Sequence, residues 1–596
     1  MDRKAIAAIS LSLVTLFAWT FFSQKQAERA ASWRNEQRQI AEAANAGSEA
    51  TIAPAAASTP ADPVAAPPPV GPPAATAVTE KVVTPSVAYT MTNLGGGIAA
   101  AELLKHAAEK NLRMVLNEFG TVPIGAVTLQ ADGDYHAAFT QRVDVNTATV
   151  EYERPMSEQL VLTKKFQLPR AGSPEEYLVH LDVAFRNPGS APVTVPGYFV
   201  HLGGAAPIHQ ADQSLYTGFS YYGNSSFINA TWFGGGGFLG IGGGPRPVYP
   251  DKPQTLSGLR WAGVTNQYFS TIASPVVTAV ETVGQTRQQG HAVWARRFTV
   301  SDAAWEAAGR TRHGDTERLG VEGALGMPGF TLEPGQSVTQ GFQLYAGPRE
   351  YSRVKRLGSD EESIMDFGWF GFVSKTLLNS MNWLNARLGS YAAAIIVLTI
   401  VIKLLLWPLQ NKATQSMKRM SLLTPRMTEL REKHADNPQK MNEEIMKLYK
   451  EYGVNPAGGC LPMLVQIPIF FGFYNMLGKA VELRNSHFLW VQDLSQPDTI
   501  AYLPGLDWPI NVLPLLMAGT MFWTMAISPK SGDQTQQKIF MFMPLIFVFF
   551  CYNFASALAL YWTVQNLFSV VQLYATRHQA APTLEKSAPV PAKKKK

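Results

Sequence analysis

An apolar run between Leu388 and Pro408 carries a single cation, Lys403. In a helix, about 20 apolar residues that rise 1.5 Å each are enough to cross the hydrocarbon core of a bilayer. The pattern therefore predicts a transmembrane helix. A charge inside such a run is costly unless it meets water, a partner group or the membrane interface, so Lys403 requires a physical explanation.

Five further apolar runs are long enough for membrane helices. They cover Ala5 to Phe22, Cys460 to Val481, Ile510 to Ile527, Ile539 to Asn553 and Ala557 to Tyr574. The basic clusters between and beside these runs all fall on the same side of the membrane when the chain is threaded through it. Together the runs predict six spans with both chain termini in the cytoplasm and a large domain on the opposite side.

The two ends of the chain have their own composition. Within residues 1–23 the first apolar run follows Arg3 and Lys4 and lacks a small-residue cleavage site, which favours an uncleaved anchor over a signal peptide. Residues 24–84 become rich in Ala and Pro and cannot bury a core, so we expect a disordered tether. Residues 577–596 end in four lysines, and we expect a basic cytoplasmic tail.

Residues 85–350 change to short alternating segments punctuated by Gly, Pro and Asn. From Tyr177 to Phe185 every second residue is apolar, and an Asn-Pro-Gly turn signal follows. Many such segments and few convincing helices predict one large antiparallel β-sandwich. The Ala-rich stretch from Leu103 to Leu116 is weakly periodic and leaves helix and strand open. The glycine-rich run 232–247 is expected to be a mobile loop, and it lacks the Lys-Ser or Lys-Thr of a phosphate-binding loop.

Residues 351–387 are expected to be a linker that ends in an amphipathic helix. Five apolar residues recur there at helical spacing: Phe370, Val373, Leu377, Met381 and Leu384. Polar residues occupy the other faces, which favours a helix lying on the membrane surface over a helix of the preceding domain.

The predicted core of five spans, residues 388–576, is interrupted by the strongly basic segment 409–457. The positive charge places this segment in the cytoplasm. Two apolar stripes at helical spacing lie on either side of Asn437 and Pro438. Asn437 can cap the second helix with Pro438 in its first turn, so the sequence predicts an antiparallel helical hairpin.

Composition agrees with membrane spans joined to ordinary soluble sequence. The chain has 596 residues, of which 46% are hydrophobic and 16% charged. The net charge is +6, but the basic residues concentrate beside the apolar runs, which argues against a nucleic-acid-binding domain. Both cysteines, Cys460 and Cys551, fall in or beside apolar runs, so no disulfide framework is expected.

Lys403 has two interpretations. The last five spans contain no acidic residue, so Lys403 has no carboxylate partner within them. In the first interpretation Lys403, which lies one helical turn from Trp407, extends its stem so that the ammonium reaches the headgroups. Alternatively, Lys403 is a functional cation in a wet cavity that opens to the cytoplasm. Polar residues that could line such a cavity recur on three spans: Thr399, Gln466, Asn475, Tyr561, Gln565, Ser569 and Gln572.

Motifs for familiar catalytic chemistry are missing from the sequence. GFYNMLGKA has the wrong spacing for a phosphate loop, and HExxH and GxSxG do not occur. We therefore expect neither an enzyme nor a cofactor. Two alternative functions remain, a polytopic transporter and a membrane-anchored protein that modifies sugars. The first should show internal repeats or acids within its spans, and the second should show convergent carboxylates or histidines.

Six motifs, in this order, resemble the YidC/Oxa/Alb family of membrane protein insertases. They are DFGWFGFVSK, LTIVIKLLLWPL, LYKEYGVNPAGGCLPMLVQIPIFFGFYNML, LWVQDLS, QQKIFMFMPLIF and ALYWTVQNL. The similarity covers most of Asp366 to Thr576. The first 360 residues follow the plan of the Gram-negative form of the family, in which an extra anchor precedes a large periplasmic domain. The resemblance implies a bacterial inner-membrane insertase and chaperone, with a mutarotase-like β-supersandwich as the periplasmic domain.

The resemblance also implies a groove that receives the hydrophobic segment of a nascent membrane protein. The implied partners are the Sec translocon with its accessory subunits, and the ribosome and signal-recognition-particle pathway through the hairpin and the basic tail. By position, the resemblance assigns to this groove Lys403, Thr399, Ile467, Phe470, Tyr561 and Trp562. Gln466 and Gln565 join this set because of their polarity.

Two residues depart from the family pattern. Where Lys403 lies the family often has Arg, so this chain keeps the charge but loses a planar fork of hydrogen-bond donors. Where Trp562 lies another Tyr is common, so the aromatic surface remains and a hydroxyl is lost.

Overall fold

The computed structural model describes residues 76–576 apart from several gaps. The gaps are 110–111, 210–211, 213–215, 231–246, 251–253, 277–288, 311–317, 455–460, 504–507 and 529–533. The predicted anchor, the tether up to residue 75, nearly all of the glycine-rich loop, Cys460 and the basic tail lie outside the described residues.

The described strands are concentrated before residue 350. In chain order they are β1 (Thr79–Val83), β2 (Val87–Thr92), β3 (Gly97–Ala107), β4 (Arg113–Leu116), β5 (Val127–Thr128), β6 (Thr140–Asp144), β7 (Thr149–Ser157), β8 (Leu160–Gln167), β9 (Leu178–Arg186), β10 (Val193–Ala205), β11 (Gly218–Gly223), β12 (Ser226–Ala230), β13 (Val248–Tyr249), β14 (Trp261–Thr265), β15 (Phe269–Val276), β16 (Ala292–Thr299), β17 (Leu319–Leu332), β18 (Ser337–Pro348), β19 (Thr499–Leu503) and β20 (Trp508–Asn511).

Two antiparallel sheets face each other and form the β-sandwich that the alternating pattern predicts. One has the strand order β12-β11-β14-β15-β18-β9-β8-β7-β6, and the other has the order β13-β16-β17-β10-β5. A smaller sheet of β1 to β4 lies beside them. The facing sides share one buried core that includes Phe219, Trp261 and Leu325. In β9 the predicted residues Val179, Leu181, Val183 and Phe185 are all buried, which confirms the alternation.

The structure corrects one expectation about the start of this domain and decides a second point that the sequence leaves open. The tether was expected to reach residue 84, but β1 begins at Thr79 and pairs with β2, because Val82 is buried while Lys81 reaches Glu102 with a 2.8 Å ion pair. The stretch left open between helix and strand, from Leu103 to Leu116, forms the end of β3 and all of β4. Pairing with neighbouring strands overrides the weak helix preference of its alanines.

One described α-helix lies inside the β-domain, and the others follow residue 350. They are α1 (Asp302–Ala307, inside the β-domain), α2 (Tyr351–Val354), α3 (Gly371–Leu388), α4 (Tyr391–Lys433), α5 (Pro438–Glu451), α6 (Leu461–Lys479), α7 (Val512–Ile527), α8 (Gln534–Cys551) and α9 (Ser556–Ala575). The five apolar runs of the predicted core fall within α4, α6, α7, α8 and α9 apart from a few residues at their ends. One buried cluster joins α3, α4, α6, α7 and α9 through residues such as Leu378, Ile395, Phe473, Leu513 and Leu560.

Helix α4 continues beyond the boundary that the sequence suggested. The predicted span ends at Pro408, yet both Pro408 and Pro425 lie inside one helix of 43 residues. A proline within a helix removes one backbone hydrogen bond but does not oblige the helix to end when its neighbours hold it. The apolar span and the first arm of the hairpin therefore form one continuous helix.

The predicted hairpin is present and capped as expected. The Asn437 side chain accepts a hydrogen bond from the backbone nitrogen of Lys440 over 3.0 Å, with Pro438 in the first turn of α5. The end of α4 and α5 share a small core of their own, in which Met427 contacts Tyr449. This core is separate from the cluster that joins the other helices.

Helix α3 uses its apolar stripe differently from the prediction. Leu377 and Met381 are buried against the other helices, and Ser374 donates a 3.1 Å hydrogen bond to the carbonyl oxygen of Gly472 in α6. A side chain at Gly472 would meet Val373 at 2.6 Å, so the two helices approach closely because this residue is glycine. The exposed large apolar residues of α3 are instead Phe372, Trp383 and Leu388, and Trp369 is exposed just before the helix.

Hydropathy supports one membrane crossing within the described residues. Helix α4 contains an 18-residue window with a mean hydropathy of 2.4, and α7 is a shorter apolar helix. The count of six spans therefore remains a prediction.

Candidate functional site

Three helices bring the predicted site residues together. Lys403 lies on α4, Gln466 and Phe470 lie on α6, and Tyr561 and Gln565 lie on α9. Helix α9 packs against both α4 and α6. The apolar periodicity that buries one side of each helix also fixes which polar residues face the small gap between them.

Lys403 points at α9. Its ammonium lies 3.1 Å from the hydroxyl oxygen of Ser569, and that hydroxyl donates its own hydrogen to the backbone carbonyl of Gln565 over 2.9 Å. Ser569 is therefore the acceptor of the lysine. A snorkelling side chain would extend along its own helix toward the headgroups, whereas this stem reaches across to a neighbouring helix.

Gln466 connects the other two polar residues. Its amide nitrogen donates hydrogen bonds of 3.1 Å to the Tyr561 hydroxyl and of 3.1 Å to the side-chain oxygen of Gln565. Tyr561 is only 2% exposed, so these bonds hold polar atoms that would otherwise be buried alone. The structure thus brings Gln466, Tyr561 and Gln565 into one network beside Lys403.

Aromatic rings form an apolar wall next to this network. The ring of Phe470 lies 4.8 Å from that of Trp562, and Phe547 of α8 meets Trp562 edge-on at 4.7 Å. Tyr561 stacks on Phe473 at 4.1 Å. Such contacts orient large apolar surfaces that an apolar segment of another protein can pack against.

Two predicted residues stand apart from the network. Thr399 is 1% exposed and its hydroxyl donates to the carbonyl of Ile395 in its own helix, over 2.7 Å. Ile467 is 36% exposed on the outer side of α6. Thr399 is therefore part of the packing behind Lys403, and Ile467 is an apolar surface residue beside the aromatic wall.

A small cleft lies beside Lys403. Gln410, Gln466 and Gln572 line it together with apolar residues of α4 and α6. The sequence pattern does not predict Gln410 as a cleft residue, because Gln410 follows Pro408, where the apolar run ends. Ser569 and Gln572 had a usable signal, since they continue the stripe of Tyr561 and Gln565 at helical spacing.

The chemistry of the cleft is that of a binding site. Within the described part of the chain no carboxylate forms an ion pair with Lys403. The charge of Lys403 can therefore interact with a bound molecule. Over the same residues no group of three or more His, Cys, Asp and Glu side chains could hold a metal ion. The ammonium and amide groups donate hydrogen bonds and the aromatic wall beside them offers apolar contacts, so the cleft has both a polar and an apolar surface.

Two family models together cover most of the chain. The model described as 60Kd inner membrane protein matches residues 383–583, and the model described as YidC periplasmic domain matches residues 79–380. The boundary between them falls within α3. The second match spans the β-sandwich, and the first spans the helices that build the cleft.

Relatives with the same name match either nearly the whole chain or part of it. The membrane protein insertase YidC of Nitratidesulfovibrio vulgaris strain DP4 is 31% identical over 600 residues, which cover 96% of this chain and 98% of that one. The membrane protein insertase YidC of Syntrophobacter fumaroxidans is 46% identical over 252 residues, covering 41% and 45% of the two chains.

Solved structures are more distant. An active YidC insertase with its first transmembrane domain visible is 17% identical, covers 85% of this chain and 94% of its own, and has a TM-score of 0.34. A putative aldose 1-epimerase from Escherichia coli K12 is 10% identical, covers 46% and 99%, and has a TM-score of 0.26. These scores are too low to support the mutarotase-like assignment, which remains a prediction.

A β-sandwich domain joined to a helical core that contains a long apolar helix is the architecture of a membrane protein with a separate β-domain. With the family models and the full-length relative, the particular family follows: the chain belongs to the YidC family of membrane protein insertases. It is an inner-membrane protein that inserts other membrane proteins, and it is not an enzyme.

Proposed function

We propose that insertion proceeds through the cleft between α4, α6 and α9, with Lys403 as its fixed cation and the cytoplasm as its open side. The observation that carries this proposal is the hydrogen bond from Lys403 to Ser569, which holds the charge between helices. A nascent segment would place polar residues near Lys403 and Gln466, and its apolar residues against Phe470 and Trp562.

The electrostatics support this path. A lysine within an apolar helix is costly to bury, and here its neighbour is a neutral hydroxyl rather than a carboxylate. The unbalanced charge attracts acidic residues in the part of a substrate that must cross the membrane. A carboxylate partner within the core would cancel that attraction.

The proposed topology has six spans with both termini in the cytoplasm and the β-domain in the periplasm. Helices α4, α6, α7, α8 and α9 supply five spans, and the run within residues 1–23 supplies the sixth. The basic hairpin and the lysine tail then share the cytoplasmic side. The exposed Trp369, just before α3, and Phe372 on α3 would contact the lipid interface on the other side.

We also propose that the hairpin is where cytoplasmic partners dock, among them the ribosome and the signal-recognition-particle pathway, and that the Sec translocon is a partner in the membrane. The hairpin has its own small core, so it can present a surface independently of the spans. Arg426 lies over the ring of Tyr452 at 4.9 Å, which orders part of its basic surface.

Photocrosslinking in cells tests the path. A photoreactive residue at Lys403, Phe470 or Trp562 should capture nascent membrane proteins during synthesis. Leu405, which is 73% exposed on another face of α4, is the control position and should capture mainly lipid. Capture of small metabolites instead of polypeptides at the three cleft positions would contradict the proposal.

A further inference from the structure

Gln572 is a buried amide without an acceptor. It lies on α9 three residues after Ser569 and is 4% exposed. Its side-chain nitrogen makes no hydrogen bond to any described residue. A buried N–H group without a partner is unfavourable, so such a group in a native protein calls for a partner, either water or a bound molecule.

Gln572 lines the cleft beside Lys403, together with Gln410 and Gln466. The side-chain nitrogen of Gln466 is already used, since it donates to Tyr561 and Gln565. The ammonium of Lys403 has three donors, and one of them reaches Ser569. Two groups with unused donors therefore meet in the cleft from two helices, Lys403 from α4 and Gln572 from α9.

We propose that Gln572 is a specificity-determining residue of the groove, and that its amide N–H holds an oxygen of a polar side chain in the passing tail of the substrate. This inference rests on the proposed path through the cleft. Lys403 responds to negative charge, whereas an amide N–H needs only an acceptor oxygen. Gln572 thereby extends recognition from Asp and Glu to neutral side chains such as Asn. A carboxylate can occupy both donors at once.

The test is a pulse-chase protease-protection assay with three single-span substrates that differ at one tail residue, which is Asp, Asn or Leu. Gln572→Leu should slow the Asp and Asn substrates roughly fivefold, the factor that corresponds to one ordinary hydrogen bond of about 1 kcal/mol, and should leave the Leu substrate unchanged. Gln572→Met has nearly the length of glutamine without its donor, and it should give the same result if the leucine variant accumulates poorly.

The matched control is Asn475→Leu on α6. The Asn475 amide already donates to the carbonyl of Phe471 in its own helix, over 3.0 Å, and it does not line the cleft. All three substrates should insert normally with this variant. A photoreactive residue at position 572 should capture the tail, whereas one at Val571, which is 59% exposed on the adjacent face, should not.

Equal slowing of all three substrates by Gln572→Leu would mean that the residue only supports packing, and slowing of the Asp substrate alone would mean that it acts through Lys403. Either result overturns the inference. The proposed path is tested separately by Lys403→Gln, which should slow the Asp substrate and spare the Asn substrate. If Lys403→Gln has no effect while Gln572→Leu still separates polar from apolar tails, the role of the lysine fails and that of Gln572 stands.

Discussion

Arg484 donates a hydrogen bond of 2.7 Å from its guanidinium to the backbone carbonyl oxygen of Ala107. A second bond of 2.8 Å reaches the carbonyl of Ala108, and the guanidinium lies over the ring of Tyr268 at 5.0 Å. Arg484 follows α6 in the helical core, whereas its partners belong to the β-domain. Tyr268 in turn donates to the carbonyl of Ser495 in the core, over 3.1 Å. The β-domain is therefore docked on the core.

Arg484→Ala should loosen this docking. Hydrogen bonds from a charged donor are worth about 1.5–3 kcal/mol, so amide hydrogen exchange near Ala107 and Tyr268 should accelerate by roughly tenfold or more. The measurement is hydrogen exchange followed by mass spectrometry on the whole protein in detergent. Arg186→Ala, an exposed arginine at the end of β9, is the control and should change nothing at the junction. Unaltered exchange in the Arg484 variant would show that the bonds do not hold the domains.

Deletion of the tether and the β-domain should leave insertion largely intact, because the helices of the cleft take no residue from the sandwich. From the sequence pattern alone, the deletion would run from Gln26 to about Pro334. The structure moves the end to Pro348, since β18 pairs with β9 and β15 and would otherwise lose both partners and expose Phe342. The readout is insertion of a reporter at matched protein levels. Complete loss of insertion by a stably accumulated deletion would be the contrary result.

Removal of Ser421 to Lys450 should abolish insertion without changing topology. The deletion takes away α5 and the arm of α4 that packs on it, including the contact between Met427 and Tyr449. Lys418 still donates to the carbonyl of Thr576 at the end of α9, over 3.0 Å, so the base of the arm keeps its anchor. Protease mapping reports topology, and a Gly/Ser linker of equal length is the control. Normal insertion by the deletion would reduce the hairpin to a spacer.

Lys403 should matter according to the charge of the substrate tail. At 4 Å and an effective dielectric constant of 20, two unit charges attract by about 4 kcal/mol, and water in the cleft lowers this. Lys403→Arg should retain function, whereas Lys403→Gln and Lys403→Glu should slow substrates with acidic tails more than those with neutral tails. A pulse-chase assay on a pair differing only in tail charge measures this. Equal rates for both substrates in wild type and Lys403→Gln would favour the snorkelling interpretation.

The stability of the β-domain should fall in acid because of His201. Thr128 donates to the carbonyl of Gln130 over 2.5 Å and therefore accepts from the Nε2 of His201 over 2.9 Å. The other ring nitrogen is buried without a described partner. Burial, followed by the nearby charges of Lys164 and Arg296, lowers the pKa of His201 from 6.5 to about 3.

The direction of this pH dependence follows from proton uptake by the unfolded chain. Below pH 6.5 the unfolded chain protonates this histidine and the folded domain does not, so stability decreases as the pH falls toward 3, by up to about 1.4 kcal/mol per pH unit. His201→Gln should make this dependence shallower between pH 6.5 and 4, as followed by calorimetric unfolding of the whole protein. Part of it should remain, because burial also lowers the pKa of His106, to about 4. His180→Gln, which changes an exposed histidine of β9, is the control and should keep the wild-type slope. Identical slopes for wild type and His201→Gln would contradict the assignment.

The sequence by itself determined the kind and approximate position of many of the elements. Alternation identified β9, apolar runs located α4 and α6 to α9, and an Asn-Pro pair marked the start of α5. Each of these depends on the spacing of side chains along one local backbone, so a single chain segment contains the whole signal. The motif order and the basic clusters, which likewise need no contacts, indicated the family and the topology.

Only the tertiary structure decided what covers each face. The stripe on α3 was expected to meet lipid, but Leu377 and Met381 pack on protein, and Thr399 turned inward rather than toward the cleft. The facing of Gln572 and Lys403, and the reach of Arg484 to Ala107, join residues far apart in sequence. An apolar stripe records that a helix has a dry side, but lipid and protein reward the same pattern, so the neighbouring helices determine which of them it meets.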